Sequence, residues 1–306
     1  MKDSEKNILI ISDIEGSSGC WSYQASSFLT RAWRKACVDM TKDVNAVVKG
    51  LFEAGVERIT VKDFHRTGYN ILPEGIDSRA RVVSGYRRSP VPGVGSPGNA
   101  TAVMYLGLHA ASGTDGFLAH TMTSRISRLA VNGKLLSEVE LFSASLAPYG
   151  LRPIFFSGCP VACNQAQAAI KGIRVHPIDK RAGPEGFDDD GWRSELVKAA
   201  VASLRNDSTT PYMPEGPFRA VLTLRDGKQP ARKIARRWAL NYKEDRIFVD
   251  AGDIHELYVQ LIRICYLTPL TESVMPLSLF VYHLWGRIGL EWVRMGYRRK
   301  AGKLTY

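Results

Sequence analysis

Between Asn7 and residue 178, short apolar runs rich in β-branched residues alternate with stretches of helical period. Helices packed on a mostly parallel central sheet satisfy that alternation, so the chain reads as an α/β protein. Asn7–Ser12 (NILIIS) is a buried first strand, and residues 27–54 form a helix that Gly55 ends. Residues 57–61, 81–84 and 103–108 read as further strands. Residues 126–131 run into Asn132-Gly133, a hairpin-turn pair, and residues 135–146 read as a helix. A strand at 153–156, a helix at 162–170 and a strand at 173–178 follow.

The polar, proline-rich segment 206–217 (NDSTTPYMPEGP) reads as a linker. Beyond it a strand at 218–224, a basic helical stretch, a strand at 246–249 and a helix at 254–267 suggest a second, smaller α/β domain over 206–270. Residues 271–306 then form a basic, aromatic helical extension. Its run from Val274 to Trp285 is mostly apolar, but a spanning helix needs about 20 apolar residues and Arg287 interrupts this one. Two readings stay open: an amphipathic helix on a membrane surface, with Trp285 and Trp292 at the interface, or a helix packed on its own protein or a neighbouring subunit.

The net charge is +11, with 41 Lys and Arg against 30 Asp and Glu. The basic residues are mostly scattered, apart from clusters at 228–237 and 294–303, and neither has the aromatic interleaving of an RNA-binding module. No nucleic-acid partner is expected. The five cysteines form no CxxC pair and no run reads as a secretory signal, which points to reduced thiols in the cytoplasm.

The chemistry-bearing residues gather at strand ends. Asp13 and Glu15 follow the first strand, His65 follows the second, and His109 and His120 come after the run that ends at Leu108. In an open α/β sheet ligands bind outside the carboxyl ends of the strands. Asp13 and Glu15 are two residues apart, so on an extended or turning backbone Ile14 points away while both carboxylates face one centre. Imidazole with carboxylate suits zinc. A two-metal site, with ions about 3.5–4 Å apart, needs a bridging carboxylate, and Asp13 is the natural candidate. A D-x-E pair or a lone histidine at a strand end is usually structural. The case for a metal is that segments remote in sequence deliver both ligand types to one edge.

The motifs Asp13-Ile14-Glu15-Gly16, Asp63-Phe64-His65, Leu108-His109-Ala110, Ala119-His120-Thr121-Met122 and Ser137-Glu138 resemble, in order and spacing, those of the M55 peptidases, a family of D-aminopeptidases. The resemblance is well supported to about Ile178 and looser to about Leu267. It implies a two-zinc aminopeptidase that removes the N-terminal residue, D-amino acids preferred, from short peptides. It also implies a two-domain α/β fold and a homo-oligomer, a decamer. Asp13, Glu15, His65, His109 and Glu138 would be the zinc ligands, and His120 the catalytic residue, placing residues 1–205 as the metal-binding catalytic domain. Glu138 enters only through the resemblance. Asp63 would either orient a histidine ligand or cap a turn.

Three departures stand out. Lys62 replaces an asparagine and Phe64 a small residue, while Cys159-Pro160 stands where the family shows acids after a glycine. The rival readings are another two-metal hydrolase such as a phosphoesterase, favoured by the positive charge, and a non-catalytic assembly or peptide-binding homologue.

Overall fold

The structure, a computed structural model, describes residues 6–301, and side chains as far as residue 297. Residues 1–5 and 302–306, with Lys303 of the second basic cluster, lie outside the described residues. In chain order the elements begin β1 (Asn7–Ser12), α1 (Tyr23–Ser26), α2 (Arg31–Glu53), β2 (Arg58–Asp63), β3 (Arg81–Val83) and β4 (Ala102–Leu108). Then come β5 (Ile126–Val131), β6 (Lys134–Leu135), α3 (Glu138–Leu146), β7 (Arg152–Gly158), α4 (Pro160–Ala169), β8 (Arg174–Pro177) and α5 (Asp189–Ser203). The chain closes with β9 (Phe218–Leu224), α6 (Lys228–Arg237), β10 (Asn241–Lys243), β11 (Arg246–Ala251), α7 (Ile254–Tyr266), α8 (Pro269–Ser273) and α9 (Met275–Ala301).

Six strands form a parallel sheet in the order β3-β2-β1-β4-β7-β8. Its central strands are buried on both faces, and this is why β1, β4 and β7 are almost continuous apolar runs. Alternate residues feed two cores: Ile8, Ile10 and Met104 point to one side, Leu9, Ile11, Val103 and Tyr105 to the other. On the first side α2 lays down Trp33, Cys37, Met40, Val44, Val47, Val48 and Leu51 at helical spacing. Thr30 caps its start by accepting from the Trp33 amide, and Gly55, at φ +93°, ends it.

The other five strands form an antiparallel sheet, β10-β11-β9-β5-β6. It takes β5 and β6 from upstream of the 206–217 linker and β9–β11 from downstream, and its buried residues share one core with α3, α4 and α7. Asn132 and Gly133, both at positive φ, make the expected β5–β6 turn. Among the elements that escaped the sequence are α5 and β10. In α5 only Leu196, Ala200 and Ser203 are buried, so the apolar stripe is too thin to read. All three residues of β10 are exposed, so it has no alternation.

Along the sheet, β1 leads one way through β2 to β3, while β4 leads the other way through β7 to β8. The carboxyl ends of β1 and β4 therefore flank the crevice where the strand order reverses. Among the described residues no helix is long and apolar enough to cross a membrane. Instead α9 packs on α2: Trp292 stacks on Trp33, and Leu290 and Val293 are buried.

Lys62, at the end of β2, is 1% exposed, and its Nζ donates to the Gly85 carbonyl. Burial pushes its pKa down to about 7 against the pull of Asp63, with the Arg87 guanidinium assisting. From about pH 7 up to the ordinary value of 10.5 the unfolded chain binds the extra proton, so this group's contribution to stability rises with pH across that window. Replacing it by methionine removes that rise. The difference in melting temperature, Lys62→Met minus the native protein, should be largest below pH 7 and shrink steadily toward pH 10.5, as read by thermal unfolding across that range.

Candidate metal centre

The site begins with backbone pairing. The Asp13 amide donates to the Leu106 carbonyl at 2.8 Å, and the Gly16 amide to the Gly107 carbonyl at 2.7 Å. The Asp-Ile-Glu-Gly turn thus lies directly on the end of β4. A Cβ on Gly16 would stand 2.7 Å from the Leu108 carbonyl oxygen, so glycine is what lets the turn close. The next residues are held from behind. Asp43 accepts from the Ser18 amide and hydroxyl at 2.7 and 2.8 Å, and the buried Lys180 donates to the Ser17 carbonyl at 2.5 Å.

His65 sits in the turn after β2. Asp63 organises that turn, accepting from the Asn70 amide, the Asn70 side chain and the Ile71 amide at 2.5, 2.9 and 2.8 Å. Of its two sequence readings, turn capping is the one observed. Phe64 packs edge-on to Phe142 of α3 and to Tyr86, with centroids 4.5 and 5.3 Å away. The large residue at this position therefore ties the His65 turn to the helix that starts with Glu138. His109 is the first residue after β4. The His120 loop folds back on β4 through the His120 amide, which donates to the Ala110 carbonyl at 3.0 Å.

Glu138 opens α3, is buried, and accepts from the Met122 amide at 2.7 Å. Residue-level reasoning missed it because the helix read from residue 135 puts it on a solvated flank. The signal was available: Ser137 and Glu140 form a capping box, which starts the helix at 138 and points its first residue at the site. Cys159 and Pro160 occupy the cap and first position of α4, at the end of β7. His176 packs near Trp192, and His283 lies against the Tyr86 carbonyl, both outside the cluster.

The fold brings all six expected residues together. His65 Nδ1 lies 2.9 Å from Asp13 Oδ1 and 3.1 Å from Glu15 Oε2. His109 Nε2 lies 3.5 Å from Asp13 Oδ2 and 3.6 Å from Glu138 Oε2. The two oxygens of Asp13 thus face two different histidines. Asp13, Glu15 and His65 form one triplet of potential ligand atoms within 4.8 Å of one another, and His109, His120 and Glu138 a second. The rings of His109 and His120 stack at 3.6 Å.

Backbone carbonyls set the tautomers. His65 Nε2 meets the Ser26 carbonyl at 2.9 Å, His109 Nδ1 the Ala110 carbonyl at 3.1 Å, and His120 Nδ1 the Leu118 carbonyl at 2.8 Å. A carbonyl only accepts, so each of these nitrogens carries the hydrogen. In the neutral rings the opposite nitrogens, His65 Nδ1 and His109 Nε2, then aim lone pairs at carboxylates. Lone pair against carboxylate in a buried site requires a cation or a proton between them. Glu15 Oε2 and His109 Nε2 are buried without a hydrogen-bond partner, and these are the atoms a metal would use.

The protonation balance without metal says the same. Burial disfavours charge on His65 and His109, but Glu15 and Asp13 around the first, and Glu138 around the second, outweigh it and raise both to about 10. Burial, reinforced by Glu15, raises Asp13 to about 7. His120 goes the other way, lowered by burial and by His109, so its ring is neutral at pH 7. His120 is half-buried while the other five are buried, which puts it on the accessible edge.

The model of the M55 peptidases, described as D-aminopeptidase, matches residues 7–261. The chain belongs to that family. A curated relative, the D-aminopeptidase of Bacillus subtilis (strain 168), is 22% identical over 216 residues, covering 69% of this chain and 78% of that protein. A solved structure, the Zn-dependent D-aminopeptidase DppA from Bacillus subtilis, described as a self-compartmentalizing protease, shares the fold with a TM-score of 0.75 at 19% identity. That match covers 84% of this chain and 96% of DppA. The M55 family match ends inside α7, so α8 and α9 lie beyond it.

The Gly16 contact carries a prediction. Gly16→Ala should push the Asp13–Glu15 turn off β4 and destabilise the protein by about 1–3 kcal/mol, the usual cost of overpacking, measurable in urea unfolding.

Proposed function

We propose that this chain is a zinc-dependent aminopeptidase that hydrolyses the N-terminal residue, a D-amino acid by preference, of short peptides. The observation that carries the reading is the buried pairing of two tautomer-fixed imidazole lone pairs with three carboxylates, on a family member's fold. Asp13, Glu15, His65, His109 and Glu138 would hold the metal, two ions per subunit, with Asp13 shared because its oxygens face both histidines. Zinc there would supply Lewis acidity, polarising the scissile carbonyl and making a water nucleophilic near neutral pH.

The chain's own residues do the rest. His120 carries its hydrogen on Nδ1, which leaves Nε2 as the basic atom on the accessible edge. It takes a proton from the attacking water and returns it to the leaving nitrogen as the C–N bond breaks. Its lowered pKa keeps it neutral and able to accept at pH 7. The free amino group common to short peptides would meet a metal or an acidic side chain at the site, which favours cleavage at the N-terminus. A closed homo-oligomer, a decamer, and a cytoplasmic location belong to the same reading, the latter supported by five free thiols.

Zinc content and turnover of D-alanine and L-alanine p-nitroanilides, with and without chelator, test the proposal. The expected result is hydrolysis of the D-substrate that chelator abolishes and zinc restores. Bound zinc with no amide hydrolysis on any peptide or anilide would overturn it, and turnover of phosphate esters instead would move the protein to the phosphoesterases.

His120→Ala should lower kcat by about 10²–10⁴-fold while zinc content is unchanged. His120 also has a ligand atom within reach of the His109–Glu138 triplet, so loss of zinc in that variant would make it a ligand. His65→Ala and Glu138→Gln should both lower the zinc content itself.

A further inference from the structure

Helix α9 has two apolar faces. The inner one rests on the protein: Gly286 against Tyr69, Gly289 against Phe28 and Trp33, with Leu290 and Val293 buried. The outer one is uncovered. Leu277 is 61% exposed, Val281 56%, Leu284 48%, Ile288 50% and Met295 53%. Their spacing is four, three, four and seven residues. That is the 3.5-residue period that keeps one seam facing a second helix along its length.

We propose that this seam docks against the same seam of a second copy of the chain, antiparallel about a two-fold axis. Leu277 then packs on Ile288 of the partner subunit, and Val281 on Leu284 of the partner subunit, each layer repeated by symmetry. Glu291 fixes the direction. It is exposed at the seam position between Ile288 and Met295. In a parallel pair two Glu291 carboxylates would face each other. In the antiparallel pair each lies opposite residue 274 of the other copy, at the start of the partner's α9, where the helix dipole favours a carboxylate. Along one flank, the exposed Phe280 comes beside Arg287 of the partner subunit, a cation–aromatic match.

A lipid surface fits less well. It needs an apolar stripe but no 3.5-residue period, and it would place Glu291 among the apolar side chains that enter it. The seam lies beyond residue 261, where the family match ends, so the contact adds to whatever assembly the family fold makes. It is independent of the catalytic reading.

Two cysteines test the register in the full chain. In Leu277→Cys/Ile288→Cys the new thiols are eleven residues apart on one helix, about 16 Å, too far for an intrachain bond. Mild oxidation should convert most of this variant to a disulfide-linked dimer on a non-reducing gel, with neither single variant nor the native protein doing so. Cross-linking by Leu277→Cys alone would mean parallel pairing and overturn the proposal, as would no cross-linking of the double variant. In sedimentation, Val281→Glu/Leu284→Glu should split the native assembly into smaller units, and an unchanged mass counts against the seam. Flotation of the native protein, but not the glutamate variant, with phosphatidylcholine–phosphatidylglycerol vesicles would assign the face to lipid instead.

Discussion

The structure turns on the place of Asp13 between two buried histidines. A carboxylate taken out of water costs several kcal/mol unless its charge is met. Here each oxygen faces a histidine, His65 on one side and His109 on the other, and Glu15 and Glu138 lie against the same histidines. Three carboxylates and two imidazoles in one buried cluster balance only when cations or protons fill the gaps between them. The fold's contribution is to make that gathering unavoidable. Asp13 is fixed by pairing with β4, His65 by the Asn70 turn, His109 by the end of β4 itself, and Glu138 by a helix cap.

The cluster lies where the strand order of the parallel sheet reverses. Strands β1 and β4 are neighbours in the sheet but far apart in sequence, and their successors diverge. The Asp-Ile-Glu-Gly turn and the His120 loop both lie at that divergence, each hydrogen-bonded to the end of β4 or to Ala110 just beyond it. The antiparallel sheet reaches the site through its β5–β6 hairpin. Strand β6 leads into Ser137 and the start of α3, and the Thr121 hydroxyl donates to the Leu136 carbonyl, so the His120 loop and Glu138 share one anchor.

Most of the parallel half was legible because its signals are local. NILIIS, VMYLGL and PIFF can hardly be anything but buried strands, and Gly55 and Asn132-Gly133 end or turn their elements where read. Four of the five proposed ligands were legible for the same reason, since a strand end is a place the sequence marks. Glu138 was not, because its burial comes from tertiary placement of a helix end. The tautomers were not legible either: they depend on the Ser26, Ala110 and Leu118 carbonyls, and Ser26 is 39 residues from the ring it meets. Nor was the origin of β5 and β6 in the second sheet, because antiparallel partners on both sides of a linker leave no trace in periodicity.

The C-terminal extension gains its meaning from what lies beneath it. Tyr282 stacks on Tyr86 at 6.1 Å, and the Tyr86 hydroxyl donates to the Phe64 carbonyl at 3.0 Å, one residue before His65. On the other side Trp285 packs near Phe28, two residues after Ser26, whose carbonyl fixes the His65 tautomer. Helix α9 therefore touches both segments that hold His65, each through a single intervening aromatic ring. It also turns the Lys62 and Phe64 departures into one device. Lys62 donates to the Gly85 carbonyl next to Tyr86, and Phe64 stands edge-on to the Tyr86 ring. Tyr86 is thus gripped by the departing residues from below and by the extension from above. The buried Lys62 and the half-buried Phe64 therefore hold, from the core of the chain, the same ring that the extension stacks on.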